Sequence, residues 1–408
     1  MRVYLRTFGC RANRYDSEQV RLAAMGAGAE LVEDPAEADV AVFNSCAVTA
    51  EAEVDLRKSI RGAARRNAAL RSVVMGCAAA LDRGALRALP TVEQVIPGGD
   101  VLAVAEAMGL DPGRLGDVAM AQTSTRALLR IQDGCDEHCT FCATTQARGA
   151  NRSRLPDELV DEARALATHH PEIVLTGIHI GTWGRDIGSS LGALVTRLVR
   201  EVPEVRFRLT SVEATEVDGE LAAAFAMPDR LAPHLHAPLQ SGADRVLRRM
   251  GRHWYTAAAY AAAVERLVAG HEAFALGADV IAGFPGETEA EHRATLALVR
   301  QLPFTYLHVF PFSARPGTAA TRLSDPLPPP LVQERARELR EVASELAARH
   351  RAARVGALAD VIVVRGDRGE GLTGDYLTVS VAPDRLPRGT RFTGRLSLET
   401  GGLLATPV

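Results

Sequence analysis

The stretch CDEHCTFC places Cys135, Cys139 and Cys142 within eight residues, with His138 beside the middle thiol. The three remaining cysteines, Cys10, Cys46 and Cys77, each close an apolar run: RTFGC, VFNSC and VVMGC. Clustered thiolates hold soft metal ions or iron-sulfur clusters. A structural zinc wants a closed tetrahedral shell, which His138 could complete, although adjacent residues make a cramped pair on one ion. An iron-sulfur cube on three cysteines instead leaves one iron open to a substrate or cofactor, and His138 is then a surface or supporting residue. For Cys10, Cys46 and Cys77 the plain alternative is three buried small apolar side chains. Their shared place at the ends of successive strands, 36 and 31 residues apart, argues for one common site.

These cysteines need elements to position them. From residue 1 to about 115, the strand-like runs RVYLRTF, DVAVFNS, SVVMG and VEQVIPG alternate with helical stretches at 15–28 and 50–67, the pattern of a parallel α/β domain. A linker rich in glycine and small polar residues covers 110–126, and a second domain spans 126–325. Six strand-like runs, ALLRIQ, EIVLTG, RFRLTS, HLHAPL, ADVIAG and YLHVFPF, alternate there with helices at 157–168, 190–201, 216–226, 256–270 and 287–301. Such units curve into a partial (β/α)6 barrel whose chemistry sits at the carboxyl ends of its strands, and CDEHCTFC follows the first. Beyond the proline-rich SDPLPPP, a charged helix is expected over 331–354, then a small antiparallel β-barrel over 350–408. Nine arginines against five carboxylates between Arg349 and Arg395 make that tail basic, as nucleic-acid-binding barrels often are; a solvated basic surface is the plain alternative.

Composition sets the outer bounds. At 408 residues the chain is long enough for two or three domains, and a net charge of -3 confines any basic surface to a local patch. Lys58 is the only lysine among 47 basic residues, which reads as base composition of the genome. No apolar run is long enough to span a membrane, no signal peptide opens the chain, and the thiols are expected reduced in a cytoplasmic protein.

The cysteine loop, with Phe141 before its last thiol, resembles the signature of the radical S-adenosylmethionine enzymes. That resemblance implies a 4Fe-4S cluster on Cys135, Cys139 and Cys142, whose open iron binds S-adenosylmethionine and yields a 5'-deoxyadenosyl radical. TFGCRANRYDSE, VFNSCAVTAEAE and VVMGCAAALD are similar to the three cysteine motifs of the methylthiotransferases, implying a second, auxiliary 4Fe-4S cluster on Cys10, Cys46 and Cys77. The C-terminal tail resembles their TRAM domain, an RNA-binding barrel. EIVLTGIHIGTWGRD, PHLHAPLQSGADRVLRRMGRHW and HVFPFSARPGTAA look most like the branch that modifies threonylcarbamoyladenosine beside the tRNA anticodon. The resemblance therefore implies sulfur insertion at carbon 2 of the adenine and methylation, with tRNA, an electron donor of flavodoxin or ferredoxin type and a sulfur source as partners. Two stretches depart from the family: ATTQARG after Cys142 lacks its usual bulky apolar pair and proline, and AAALD after Cys77 lacks a tyrosine. The same chemistry on isopentenyladenosine tRNA or on a ribosomal protein side chain is one alternative. A noncatalytic RNA-binding protein with structural zinc is another.

Weaker candidates surround the expected cofactor. Gly177 ends the second barrel strand, where the family contacts the amino group of S-adenosylmethionine; a turn glycine is the plain alternative. Glu213, Gln240 and Ser241 lie at carboxyl ends of later strands and could bond ribose or methionine groups, or serve as loop and cap residues. VIAGFPGETE matches the family's glycine-rich segment near the adenine, while His179, His234 and His236 could line the cavity or be structural. Arg148, Arg152 and Arg154 follow the cysteine loop and could meet tRNA phosphate, or form a solvated basic loop.

Overall fold

A computed structural model describes residues 1–47, 50–111, 121–382, 386–399 and 401–408. Much of the expected linker, 112–120, and the carboxylate at 384 lie outside the described residues. Two compact units make up the chain: Met1–Thr123 with Asp133–Glu137 and Cys142–Arg152, and Ser124–Gln132 with His138–Phe141 and Ser153–Val408.

The first unit is built on a parallel sheet of β1 (Arg2–Thr7), β2 (Glu30–Val32), β3 (Val40–Ser45), β4 (Arg71–Gly76) and β5 (Val92–Pro97), in the order β2-β1-β3-β4-β5. Central β3, VAVFNS, is buried at every residue, as a strand covered on both faces must be. Phe43 and Val74 pack with Leu56 and Ile60 of α2 (Ala50–Arg66) on one face. On the other, Val42 and Met75 meet Val20 of α1 (Arg11–Gly26) and Val104 of α4 (Val101–Met108). The short α3 (Cys77–Leu81) begins on a cysteine. The edge strand β2, three residues long, is too short to register as a periodic pattern.

In the second unit, β6 (Ala127–Arg130), β9 (Glu172–Thr176) and β10 (Arg206–Leu209) form one parallel sheet, and β11 (His234–His236), β12 (Ala275–Ala282) and β13 (Tyr306–Pro311) form another. Parallel bridges Phe207↔Leu231 and Ser211↔His236 join them into the expected six-stranded open barrel. The two-residue strands β7 (Gln132–Asp133) and β8 (Arg152–Ser153) pair with each other, and α5 (Thr144–Arg148), which belongs to the first unit, follows the cysteine loop. Between barrel strands run α6 (Pro156–Ala167), α7 (Leu191–Glu201), α8 (Gly219–Phe225), α9 (Asp244–Arg249), α10 (Ala257–Val268) and α11 (Glu289–Gln301). Side-chain caps start several of them: Ser190, Asp218 and Thr256 each accept a backbone N–H, and Thr288 with Glu291 forms a capping box on α11.

Helix α12 (Pro329–Ala353) takes its first prolines at the N-terminal turn, where the missing N–H costs no bond. A closed barrel follows, β14 (Leu358–Arg365), β15 (Glu370–Thr373), β16 (Thr378–Val381), β17 (Arg391–Glu399) and β18 (Gly402–Pro407), in the order β14-β15-β16-β18-β17. It is antiparallel except for the β16–β18 pair, which departs from the all-antiparallel expectation. Inside the same unit, Arg206 reaches Asp360 at 2.7 Å, and Arg208 donates to the carbonyls of Gly374 and Thr373.

Candidate iron-sulfur and cofactor site

Cys10, Cys46 and Cys77 follow the carboxyl ends of β1, β3 and β4, three neighbours in the sheet whose register pairs Thr7 with Asn44 and Ser45 with Gly76. The approach is close enough to exclude side chains between them. At Gly9 (φ +99°) a Cβ would fall 2.6 Å from Cys46 Sγ, and at Gly76 (φ +96°) it would fall 2.4 Å from the Ser45 carbonyl oxygen. Asn13, fully buried in the first turn of α1, ties the strand ends together: Nδ2 donates to the Phe8 and Ser45 carbonyls at 3.1 and 2.7 Å. Its Oδ1 lies 3.7 Å from Cys10 Sγ and 3.8 Å from Cys77 Sγ.

Arg148 completes this cluster. Its Nε donates to Cys77 Sγ at 3.3 Å, and Nη2 donates to Asn13 Oδ1 and Asp16 Oδ2, both at 2.8 Å. The Arg148 and Asp16 side chains are 1% and 0% exposed, so the guanidinium is committed here. Its expected role at tRNA phosphate is therefore corrected: a buried, fully engaged arginine offers no donor to an RNA backbone. Burial pushes the Cys77 thiol up to about 11 against the pull of Arg148, and the Cys10 and Cys46 thiols push the same way. Binding iron would supply the positive charge that the thiolate lacks.

The donor set also bears on metal type. Among the described residues no set of three that brings ligand atoms within 4.8 Å of one another includes Cys10, Cys46 or Cys77. One tetrahedral zinc with bonds of ~2.3 Å would draw its sulfurs to roughly 3.8 Å. Three thiols at adjacent strand ends fit a cube that takes three protein thiolates and leaves one iron open.

In the second cysteine loop, Cys135 donates its N–H to Gly149 O at 3.0 Å, and a Cβ on Gly134 (φ +74°) would sit 1.8 Å from Ala150 O. Cys142 Sγ accepts the Thr144 N–H at 3.3 Å at the start of α5. In the second unit, Thr140 donates to the carbonyls of Met250 and Arg249, and Phe141 meets Phe284 edge-on. These contacts clamp the chain just after Cys139. His138 is exposed.

Arg252 Nη1 lies 3.6 Å from Cys139 Sγ, and its other nitrogens pair with Glu213 and with Tyr255 Oη at 2.9 Å. Trp254 Nε1 also donates to Glu213, and the Arg252 guanidinium stands over the Trp254 ring. Burial pushes the Glu213 carboxyl above the ordinary range while Arg252 opposes it. Arg252 and Trp254 were not foreseen as site residues. Their signal was the run RHW, an arginine and an indole donor two residues apart, readable only once Glu213 was known to face them.

The other candidates separate. Gly177 is a close-approach glycine: a Cβ would fall 2.6 Å from Gln132 O, while Gln132 Oε1 accepts the N–H groups of Ile178 and His179. Gln240 adopts φ +64°, an uncommon backbone for a residue with a side chain, and its N–H and C=O bond Asp279 and Ile281 of β12. Ser241 departs from expectation, since its buried hydroxyl is spent on Thr295 Oγ1 of α11 at 3.3 Å and on the Ala243 N–H. His179 holds Glu216 at 3.0 Å, and His234 and His236 both bond Tyr306 Oη. In VIAGFPGETE, Gly283 donates to Glu287, which Arg335 of α12 pairs at 2.8 Å. Arg154 pairs with Glu162 at 2.7 Å, whereas the Arg152 side chain is 63% exposed, with Asp133 Oδ2 3.9 Å from its Nη2.

An open parallel barrel with a three-cysteine loop after its first strand defines the radical S-adenosylmethionine class, and residues 129–299 match the Radical SAM superfamily. Residues 2–98 match a family described as "Uncharacterized protein family UPF0004". The chain is 34% identical to threonylcarbamoyladenosine tRNA methylthiotransferase MtaB of Thermotoga maritima, over 89% of this chain and 88% of the relative. It is 35% identical to the MtaB of Bacillus subtilis, over 85% and 81%, and 33% identical to the tRNA-2-methylthio-N(6)-dimethylallyladenosine synthase of Erythrobacter litoralis, over 88% and 86%. The chain belongs to the radical S-adenosylmethionine methylthiotransferases. In fold it is similar to the radical S-adenosylmethionine methyltransferase TsrM from Kitasatospora setae, solved with cobalamin and a [4Fe-4S] cluster bound (TM-score 0.60, 16% identity, 78% of this chain and 76% of that one).

Proposed function

We propose that this chain adds a methylthio group to carbon 2 of threonylcarbamoyladenosine next to the anticodon of a tRNA. The observation that carries the reading is the 34% identity to the Thermotoga maritima MtaB over most of both chains. Two sets of three thiols on one chain support the chemistry. Cys135, Cys139 and Cys142 would hold one 4Fe-4S cluster, and Cys10, Cys46 and Cys77 the other. When bound, the clusters and S-adenosylmethionine supply a radical able to activate an aromatic C–H bond, the sulfur and the methyl group, chemistry beyond any side chain.

The residues of this chain bind and orient. Arg148 sets a fixed positive charge against Cys77 and is itself held by Asp16. Arg252 does the same beside Cys139, and Glu213, held by Arg252 and Trp254, presents a carboxylate suited to a ribose hydroxyl. Gly177, packed against Gln132, offers only backbone atoms to the amino group of S-adenosylmethionine in this reading. Exposed Arg152 and the arginines of the C-terminal barrel are the phosphate contacts of this reading. An electron donor of flavodoxin or ferredoxin type, a sulfur source and a cytoplasmic location complete it. Among the described residues no helix is long and apolar enough to cross a membrane.

The 33% identity to the dimethylallyladenosine enzyme favours a second substrate reading, isopentenyladenosine in tRNA. One experiment separates them. The anaerobically reconstituted chain is given reductant, S-adenosylmethionine and a tRNA pool containing threonylcarbamoyladenosine and isopentenyladenosine that both lack the methylthio group, and the digested nucleosides are weighed by mass spectrometry. A methylthio gain on threonylcarbamoyladenosine alone is expected. A gain on isopentenyladenosine alone transfers the assignment to the second substrate.

A further inference from the structure

Strands β11, β12 and β13 carry a polar cluster that involves no cysteine. The parallel register sets His236 beside Gly277 and Asp279 beside His308, and side chains two residues apart on a strand share a face. The missing side chain at Gly277 is filled by Tyr306, whose ring carbon would lie 2.0 Å from a Cβ there. Asp279 Oδ1 lies 2.9 Å from His236 Nε2 and 3.2 Å from His308 Nδ1, and all three ligand atoms lie within 4.8 Å of one another.

We propose that His236, Asp279 and His308 bind one divalent first-row transition ion, through Nε2, Oδ1 and Nδ1 respectively, with water or another oxygen donor completing the shell. Two imidazoles and one carboxylate on one side of an ion is a donor set suited to manganese, iron or zinc. Bonds of ~2.1 Å meeting at right angles separate the donors by about 3.0 Å, and tetrahedral ones by about 3.4 Å, so the present spacings need little movement. The supporting contact is also in place. Tyr306 Oη lies 3.2 Å from His236 Nδ1, fixing the ring so that Nε2 faces Asp279, as partners of metal-bound histidines commonly do. The His308 side chain is 57% exposed, which leaves an entry path and open coordination positions.

Manganese is the probe of choice because thiolates take it poorly, so the six cysteines do not compete. The full chain, iron-loaded under argon and left oxidised, is titrated with Mn2+ while the six-line spectrum of the free ion is followed by electron paramagnetic resonance. About one ion per chain is expected to disappear from the spectrum, with affinity reduced on the order of tenfold or more in both D279N and H308A. His308 is exposed, so H308A carries the test even if D279N fails to fold, as judged by circular dichroism and iron content. No binding at millimolar Mn2+ would mean a hydrogen-bonded His-Asp-His chain only and overturns the proposal. Binding unchanged in H308A overturns it as well.

Discussion

At the scale of single residues, the thiols and their charged neighbours divide the work. Changing Cys135, Cys139 or Cys142 to alanine is expected to abolish S-adenosylmethionine cleavage while the other cluster stays, so iron content falls by about half and deoxyadenosine no longer forms. Retained cleavage would refute the ligand assignment. Arg148→Ala leaves Asp16 buried without its partner, a loss expected to cost about 3 to 5 kcal/mol in denaturant unfolding of the iron-free chain. Arg148→Lys should recover part of that loss, because a single ammonium cannot reproduce the fork that reaches Cys77, Asn13 and Asp16 together. An unchanged unfolding midpoint in Arg148→Ala would contradict the burial of this pair.

At the scale of elements, strand ends do the positioning, and this was the most legible part of the sequence. The central runs VAVFNS and SVVMG could be read as buried parallel strands because apolar residues fill both faces, and the six barrel strands appeared as short apolar runs with helical stretches between them. The cysteines were visible because their type is rare here and their places repeat. Asn13 and Asp16 were not, and Arg148 was read for a different role, since a polar residue in an amphipathic pattern reads as solvated until the fold buries it. Helix α9 and strands β2 and β15 were also missed, being too short to show a period. Gly9→Ala tests the strand-end geometry directly: the new methyl would collide with Cys46 in a left-handed backbone, so the auxiliary iron should be lost although the far-ultraviolet dichroism remains. Full iron loading of that variant would show the approach to be looser than described.

At the scale of the whole second unit, buried charge joins the open barrel to the closed one. Glu172, 0% exposed, pairs with Arg206 and Arg208, and Arg206 continues to Asp360 on β14. Burial pushes the Glu172 carboxyl up, but the two arginines overcome it and keep the group ionised. Asp375 anchors the closed barrel in a similar way. Despite burial, His350 and Arg354 hold its carboxyl down to about 2. The stability it contributes, roughly 2 kcal/mol, is present above its unfolded value near pH ~4 and is lost as pH falls toward ~2. Acid titration followed by tryptophan fluorescence and dichroism should therefore show Asp375→Asn less sensitive than the parent between those limits, at lower stability near neutrality.

The Glu172, Arg206 and Asp360 chain also restricts how such proteins can exchange parts. A C-terminal barrel grafted from a relative would bring its own residue to position 360, and unless that residue were acidic, Arg206 would face an apolar or like-charged wall. Shuffling between family members would then succeed in matched sets, the two barrels inherited as a single cassette with their complementary charges intact.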